Sequence, residues 1–211
     1  MTLDLSVYLV TDPRLLAGRD RVDVVARAID GGATVVQYRD KDASDEIFLE
    51  AGAPVARLCR DRGVAFIVND RVHLVSALQA DGVHVGQGDA ALGEARRILG
   101  PGSIIGVSVS TVDEAVAAES GGADYLGVSP VFDTPSKIDT PAATGLDGLR
   151  RIRAAVRIPL VGIGGVDATN AAEVVAAGAD GVAVIRAILA APDPCEAART
   201  LLGIVRDGRA G

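Results

Sequence analysis

A short joint recurs along the 211-residue chain: GGATVVQ at 31–37, GGADYLG at 121–127, AGADGVAV at 177–184 and, more loosely, QADGVHV at 79–85. Each carries the end of a helical pattern, through a glycine suited to a left-handed cap, into a short apolar strand. Strands entered from helices in this way run parallel. Extending the pattern predicts strands at 7–11, 34–39, 65–69, 82–86, 104–107, 125–128, 160–163 and 181–185. Amphipathic stretches lie between them, such as RVDVVARAID at 21–30, where Val22, Val25, Ala26 and Ile29 fall at helical spacing. Comparable patterns occur at 47–59, 72–78, 94–99, 112–118, 146–156, 171–176 and 195–205. Eight alternating units of about twenty-six residues predict an α/β fold, a (β/α)₈ TIM barrel, as a single domain over 1–211. A doubly wound sheet is the alternative; no dinucleotide-binding glycine-rich turn supports it.

In such a barrel the active site lies on the loops that follow the strands, so the polar residues at strand ends become informative. In VVQYRDKD at 35–42, Gln37, Arg39 and Lys41 alternate, which a strand would point to one side. A strand end leaving the core for solvent explains the same pattern. The third predicted strand ends in Asn69 and Asp70, the fourth is followed by Gln87 and Asp89, the fifth runs into Ser108, and the sixth into SPVFDTPSKIDTPAATG. The seventh enters GIGG at 162–165. Singly, each is explained as a cap or loop residue; six strand ends converging on one rim is the pattern of a pocket.

The carboxylates of Asp70 and Asp89 follow neighbouring strands, and paired hard oxygens suit Mg²⁺ with phosphate oxygens completing its shell. Helix N-capping accounts for the two aspartates about as well. Arg39, Lys41 and Lys137 add a cationic group; with the two carboxylates and one Mg²⁺ the charges sum to about +3, near that needed by a diphosphate ester. Gly162, Gly164 and Gly165, with Ile185–Arg186 at the end of the eighth strand, lie where this fold commonly holds a phosphate, although a tight turn also calls for glycine. Thr134, Ser136 and Lys137 sit in the long loop after the sixth strand, which reads either as a lid or as ordinary polar surface.

A net charge of −7 argues against nucleic acid or an anionic membrane as partner. Cys59 and Cys195 form neither a disulfide framework nor a metal spacing, and read as packing residues in a reduced compartment. The opening MTLDLSVYLVTD has acidic residues where a signal peptide carries basic ones, and no apolar run reaches membrane-spanning length, so a cytoplasmic protein is expected. His73 reads as structural; the parity of His84 leaves it facing either the barrel interior or the helices, and a satisfied core histidine is the preferred reading over a general base. No Ser-His-Asp, Cys-His or zinc spacing supports hydrolytic chemistry.

Seven motifs in order, QYRDK at 37–41, VNDR at 68–71, GVHVGQGD at 82–89, GVSVST at 106–111, SPVFDTPSK at 129–137, GIGG at 162–165 and GVAVIRAI at 181–188, resemble the thiamine-phosphate synthase family, also called thiamine-phosphate pyrophosphorylase. The resemblance implies a (β/α)₈ transferase joining 4-amino-5-hydroxymethyl-2-methylpyrimidine diphosphate to 4-methyl-5-(2-hydroxyethyl)thiazole phosphate, with release of diphosphate. It assigns Gln37, Tyr38, Arg39, Asp40, Lys41, Asn69, Ser108 and Lys137 to the pyrimidine diphosphate, with Arg39, Lys41, Ser108 and Lys137 assisting catalysis. It assigns Asp70 and Asp89 to Mg²⁺, and Thr134, Pro135, Ser136, Gly165, Ile185 and Arg186 to the thiazole phosphate. The family's mechanism is dissociative, which suits a site without an evident general base. One departure stands out: Arg186 occupies a position where the family commonly has serine. The implied partners are small-molecule substrates, and a homo-oligomer is compatible with the sequence. The rivals are a thiazole tautomerase, which would lack the full diphosphate and metal set, and a non-catalytic sensor of a thiamine precursor, which would need no metal.

Overall fold

The computed structural model describes residues 3–86, 92–133 and 143–210. Its elements run β1 (Val7–Val10), α1 (Arg21–Asp30), β2 (Val35–Tyr38), α2 (Asp45–Arg62), β3 (Ala65–Asn69), α3 (Val75–Leu78), β4 (Gly82–Val85) and α4 (Leu92–Leu99). They continue with β5 (Ile104–Val109), α5 (Val112–Ser120), β6 (Tyr125–Val128), α6 (Gly145–Ala155), β7 (Leu160–Ile163), α7 (Ala171–Ala176), β8 (Gly181–Val184), α8 (Arg186–Leu189) and α9 (Pro194–Ala210). Each strand pairs in parallel with its successor and β8 pairs with β1, so the sheet closes into an eight-stranded barrel. Closure removes the doubly wound alternative. Every predicted strand is present, with ends displaced by two residues at most. The short α8 carries no periodic signal of its own and was not expected.

The recurring joint has a specific structure. Ala33, Ala80, Ala123 and Ala179 donate their N–H to carbonyls five residues back, at 3.0–3.3 Å, closing Schellman turns at the ends of α1, α3, α5 and α7. The left-handed residue is Gly32, Gly122 or Gly178 in three copies. In the fourth it is Gln79, at φ +51°, where glycine was expected.

The next residue of each joint is a clasp. Thr34 Oγ1 accepts from Val7 N–H at 3.1 Å, Asp81 Oδ2 from Phe66 N–H at 2.7 Å, Asp124 Oδ2 from Ile105 N–H at 2.7 Å and Asp180 Oδ2 from Leu160 N–H at 2.8 Å. In every case the clasp leads an even-numbered strand and grips the preceding odd-numbered one. It satisfies a backbone donor at the strand entrance that the ladder leaves unpaired. Arg96 and Arg153 pair with the carboxylates of Asp124 and Asp180, at 2.7 and 3.4 Å.

Most strand residues are buried on both faces, as a parallel sheet covered by helices requires. Tyr8, Val35, Ile67, Tyr125, Val161 and Ala183 fill the barrel, while a larger aliphatic layer joins the strands to the helices. On α1 the fully buried stripe is Val24, Val25 and Ala28, one register from the expected face; Val22 and Ile29 pack at its border. His73 belongs to a 3₁₀ turn, Val72–Leu74, and its ring is bonded to Asp45 at 2.7 Å. Among the described residues, no helix is long and apolar enough to cross a membrane.

Candidate active site

Above the apolar filling, at the carboxyl ends of the strands, opens a cavity of about 260 Å³. Gln37, Arg39, Asn69 and Ser108 line it from β2, β3 and β5, while Gly165, Ile185 and Arg186 line it from β7 and β8. These predicted residues therefore share one cavity. Tyr38 and Asp40 have the opposite parity. The Tyr38 ring packs between Phe48 and Phe66, and Arg21 donates to its hydroxyl at 2.6 Å and to Asp40 Oδ2 at 3.3 Å. Both side chains face the helices. Lys41 lies beyond the end of β2 and is exposed, outside the cavity wall. Asp89, Thr134, Pro135, Ser136 and Lys137 lie outside the described residues.

Arg39 is nearly enclosed. Its backbone N–H donates to Thr11 Oγ1 at 2.9 Å, and its Nη1 donates to Asp12 Oδ2 at 3.1 Å. Arg14 also grips Asp12, through Nε at 2.9 Å and Nη2 at 2.6 Å. Burial pushes the Asp12 carboxyl up, but the hydrogen bonds from Arg14 and the charges of Arg14 and Arg39 outweigh it, leaving the carboxyl below its ordinary value. Asp12 therefore holds Arg39 as an anion. The sequence alone does not single out Asp12, because its contact with Arg39 joins the ends of two strands and its local work is to cap the following 3₁₀ turn.

A buried polar chain crosses the barrel beneath the cavity. Gln37 Nε2 donates to the Tyr8 hydroxyl at 2.9 Å, and the Tyr8 and Tyr125 hydroxyls lie 2.6 Å apart. The Tyr125 hydroxyl is 3.0 Å from His84 Nδ1, and His84 Nε2 is 2.9 Å from Ser108 Oγ. His84 thus faces the barrel interior and is satisfied by hydrogen bonds, in keeping with the preferred core reading. Burial raises the pKa of both phenols, so both remain neutral. Two glycines make room for the chain: a Cβ at Gly106 would sit 2.1 Å from Tyr125 Cζ, and one at Gly127 would sit 3.1 Å from His84 Cε1.

At the end of β3, Asn69 Nδ2 donates to Asp70 Oδ2 at 2.5 Å. Asp70 sits at φ +62°, a left-handed conformation that aspartate tolerates better than most side chains. On the opposite wall, Gly164 and Gly165 have φ of +98° and +67°. Added Cβ atoms there would lie 2.7 Å from Pro130 Cβ and 2.9 Å from Asp133 O. Close packing of 130–133 is thus sufficient reason for these glycines, whatever else they serve. Val131 and Phe132 donate to the Ile163 and Gly164 carbonyls at 2.9 and 3.0 Å, and Thr144 N–H donates to Pro130 O at 2.7 Å. Together these bonds tie both described ends of the loop after β6 to the cavity wall.

Arg186 stands at the mouth of the cavity with no ion pair or side-chain hydrogen bond among the described residues. Its helix, α8, is held by Arg19, which donates to Ala191 O at 2.9 Å and to Leu189 O. The arrangement presents one guanidinium fixed deep in the wall and another at the rim, suited to a ligand with two anionic ends.

Residues 7–188 match the family model described as thiamine monophosphate synthase. The chain is similar to the thiamine-phosphate synthase of Moorella thermoacetica, 49% identical over 203 residues, covering 96% of this chain and 97% of that one. It is also similar to that of Chloroflexus aurantiacus, 50% identical over 203 residues, covering 96% and 94%. The solved thiamine phosphate pyrophosphorylase of Pyrococcus furiosus superposes with a TM-score of 0.90 at 40% identity, covering 98% of both chains.

Proposed function

The chain belongs to the thiamine monophosphate synthase family, and on that premise we propose that its cavity joins 4-amino-5-hydroxymethyl-2-methylpyrimidine diphosphate to 4-methyl-5-(2-hydroxyethyl)thiazole phosphate. The products are thiamine phosphate and diphosphate. The observation that supports this most is the convergence of Gln37, Arg39, Asn69 and Ser108 on one cavity, with Gly165 and Arg186 on its far wall. A two-anion substrate pair needs such opposed walls.

In this reading the bond from the pyrimidine methylene carbon to its diphosphate oxygen breaks first, and the electron pair leaves with the diphosphate. Arg39, oriented by Asp12, stabilises that departing charge and Ser108 donates to it, with Lys137 adding positive charge; Lys41, exposed outside the cavity wall, contributes only as a nearby charge. The thiazole nitrogen then supplies the electron pair for the new carbon–nitrogen bond. No proton need be removed, so the step calls for no general base. Keeping water from the cationic carbon is the remaining requirement of the step.

Asp70, with Asp89, would hold Mg²⁺. The carboxylate oxygens of Asp70 are hard donors, fixed by Asn69 at the end of β3. Among the described residues no group of three or more His, Cys, Asp or Glu comes together; a site of one or two carboxylates completed by phosphate oxygens requires none. When bound, the ion neutralises charge on the diphosphate.

The test is a coupled assay with both substrates and Mg²⁺. Thiamine phosphate and diphosphate are expected in equal amounts, and removing the ion with a chelator should stop turnover of folded protein. Folded protein that makes no thiamine phosphate under these conditions defeats the reading.

A further inference from the structure

β1 stands between β2 and β8 in the closed barrel, so the loop that follows it, residues 11–19, lies between the two walls proposed to hold anions. None of residues 11–19 lines the cavity. The loop instead makes polar contacts in both directions. Toward β2, Thr11 Oγ1 donates to Arg39 O at 3.1 Å and accepts from Arg39 N–H at 2.9 Å, while Asp12 takes the guanidinium. Toward β8, Arg19 reaches the end of α8.

Arg19 is half-buried, and its contacts there are with backbone. Its Nε donates to Leu16 O at 3.1 Å, its Nη1 to Ala191 O at 2.9 Å and its Nη2 to Leu189 O. Leu16 is buried in the core, and Arg19 N–H returns to its carbonyl at 3.0 Å, so the root of the side chain is fixed before its fork reaches α8. Between Asp12 and Leu16 the 3₁₀ turn closes with Leu15 N–H on Asp12 O at 3.1 Å and Leu16 N–H on Pro13 O at 3.3 Å. The loop is thus hydrogen-bonded along its length, from Arg39 to α8.

α8 is a single turn. A segment that short has no stability of its own, and its last carbonyls have no partner within the helix. Ile188 and Leu189 bury its inner face, but apolar contact is non-directional and does not fix where along the wall the turn sits. The planar fork of Arg19, bonded to two carbonyls at the carboxyl end, does fix it. Ile185 and Arg186, which line the cavity, lie one turn before Leu189.

We propose that Arg19 is a positioning residue for the thiazole-phosphate end of the cavity, acting through α8 and touching no substrate itself. The proposal rests on the reading that thiazole phosphate is held beside Ile185 and Arg186. One loop then serves both walls: Asp12 orients Arg39 for the diphosphate, and Arg19 holds the turn that carries Arg186 for the monophosphate. Loss of Arg19 leaves the barrel closed, because β1 keeps its pairing with β2 and β8, but lets α8 shift at the rim. A small displacement of a substrate contact is enough to weaken it.

Amide hydrogen exchange of the unliganded protein tests the structural half. In Arg19→Ala the N–H groups of Leu189 and Ala190, which donate to Ile185 O and Arg186 O at 2.9 and 3.0 Å, should exchange faster, with Leu201 on α9 unchanged. The expected change is about tenfold, the scale of one hydrogen bond. Unaltered exchange at Leu189 and Ala190, or an equal change at Leu201, overturns the proposal. Steady-state kinetics tests the other half: KM for thiazole phosphate should rise about tenfold and KM for the pyrimidine diphosphate should stay within about twofold. Asp12→Asn, at the other end of the loop, should show the opposite split. Lower stability without a split would make Arg19 purely structural and overturns the proposal. Arg19→Lys keeps the charge but not the planar fork, so KM for thiazole phosphate should stay raised; its return to the wild-type value would mean that charge alone acts, and also overturns it. Wild-type protein that makes no thiamine phosphate defeats the functional reading instead, and leaves the exchange result standing.

Discussion

Arg39 Nη1 donates to Asp12 Oδ2 at 3.1 Å, and both side chains are almost closed to solvent, at 9% and 6% exposure. A guanidinium so enclosed has its direction set by its partner rather than by water. Replacing Asp12 by alanine leaves a buried cation unpaired, and such losses cost about 3–5 kcal/mol when burial is complete. Arg14 and Arg39 would also repel. We expect Asp12→Ala to lower kcat/KM by about 10²-fold through misplacement of Arg39, with Asp12→Asn intermediate. Steady-state rates and urea unfolding separate the two effects. Because the Asp12 carboxyl titrates below its ordinary value in the folded protein, its contribution to stability is present above the unfolded pKa and lost as pH falls through the folded one. The acid limb of the stability profile should therefore flatten in Asp12→Asn.

The clasp residues predict a loss of stability without loss of function. Asp180→Ala removes the acceptor for Leu160 N–H and the partner of Arg153. The expected cost is about 1–3 kcal/mol, read as a lower urea midpoint, with KM for both substrates unchanged. Asp180→Asn retains a carbonyl acceptor and should recover part of the loss.

Arg186 is exposed, and the contribution proposed for it at the rim is one of charge. Arg186→Ser, which removes the charge, should raise KM for thiazole phosphate several-fold while leaving that for the pyrimidine diphosphate unaltered. The difference between wild type and variant should shrink in high salt, because an exposed charge is screened. An unchanged KM would show that the guanidinium points away from the substrate.

The two cysteines should differ in reactivity. Cys59 is fully buried, and burial pushes its thiol up to about 12, whereas Cys195 is partly exposed at the start of α9. A thiol reagent at neutral pH should modify one cysteine in native protein and both after denaturation. Rapid native modification of Cys59 would mean that the α2 face opens readily.

The strands and their closure were legible because the joint repeats and because each strand is mostly apolar, with polar residues few and placed singly. The cavity residues were legible in part. Gln37 and Arg39 keep the parity of β2 into the wall, but the strand stops at Tyr38, and Lys41 falls beyond the reach of the alternation. Arg21 takes Asp40 to the helix side, which a single strand's sequence does not reveal. The buried chain was hidden for a different reason. Tyr8, His84 and Tyr125 come from three strands, each an isolated polar residue in an apolar run, and only the closed barrel brings them into contact. The fourth joint defied the glycine rule at Gln79, because the left-handed region is disfavoured but not closed to residues other than glycine.

The clasps carry a further consequence, for evolvability. They fasten the strand entrances, whereas the cavity and its loops belong to the strand exits, so the two sets of residues sit at opposite ends of the barrel. Changes at well-separated sites are close to additive. A lineage can therefore exchange Arg186 for serine, or rebuild a loop around a new substrate, without drawing on the bonds that keep the ring closed. Conversely, stabilising substitutions at the entrances accumulate without altering specificity. The barrel separates its inheritance into two halves, one that is free to vary and one that keeps that variation survivable.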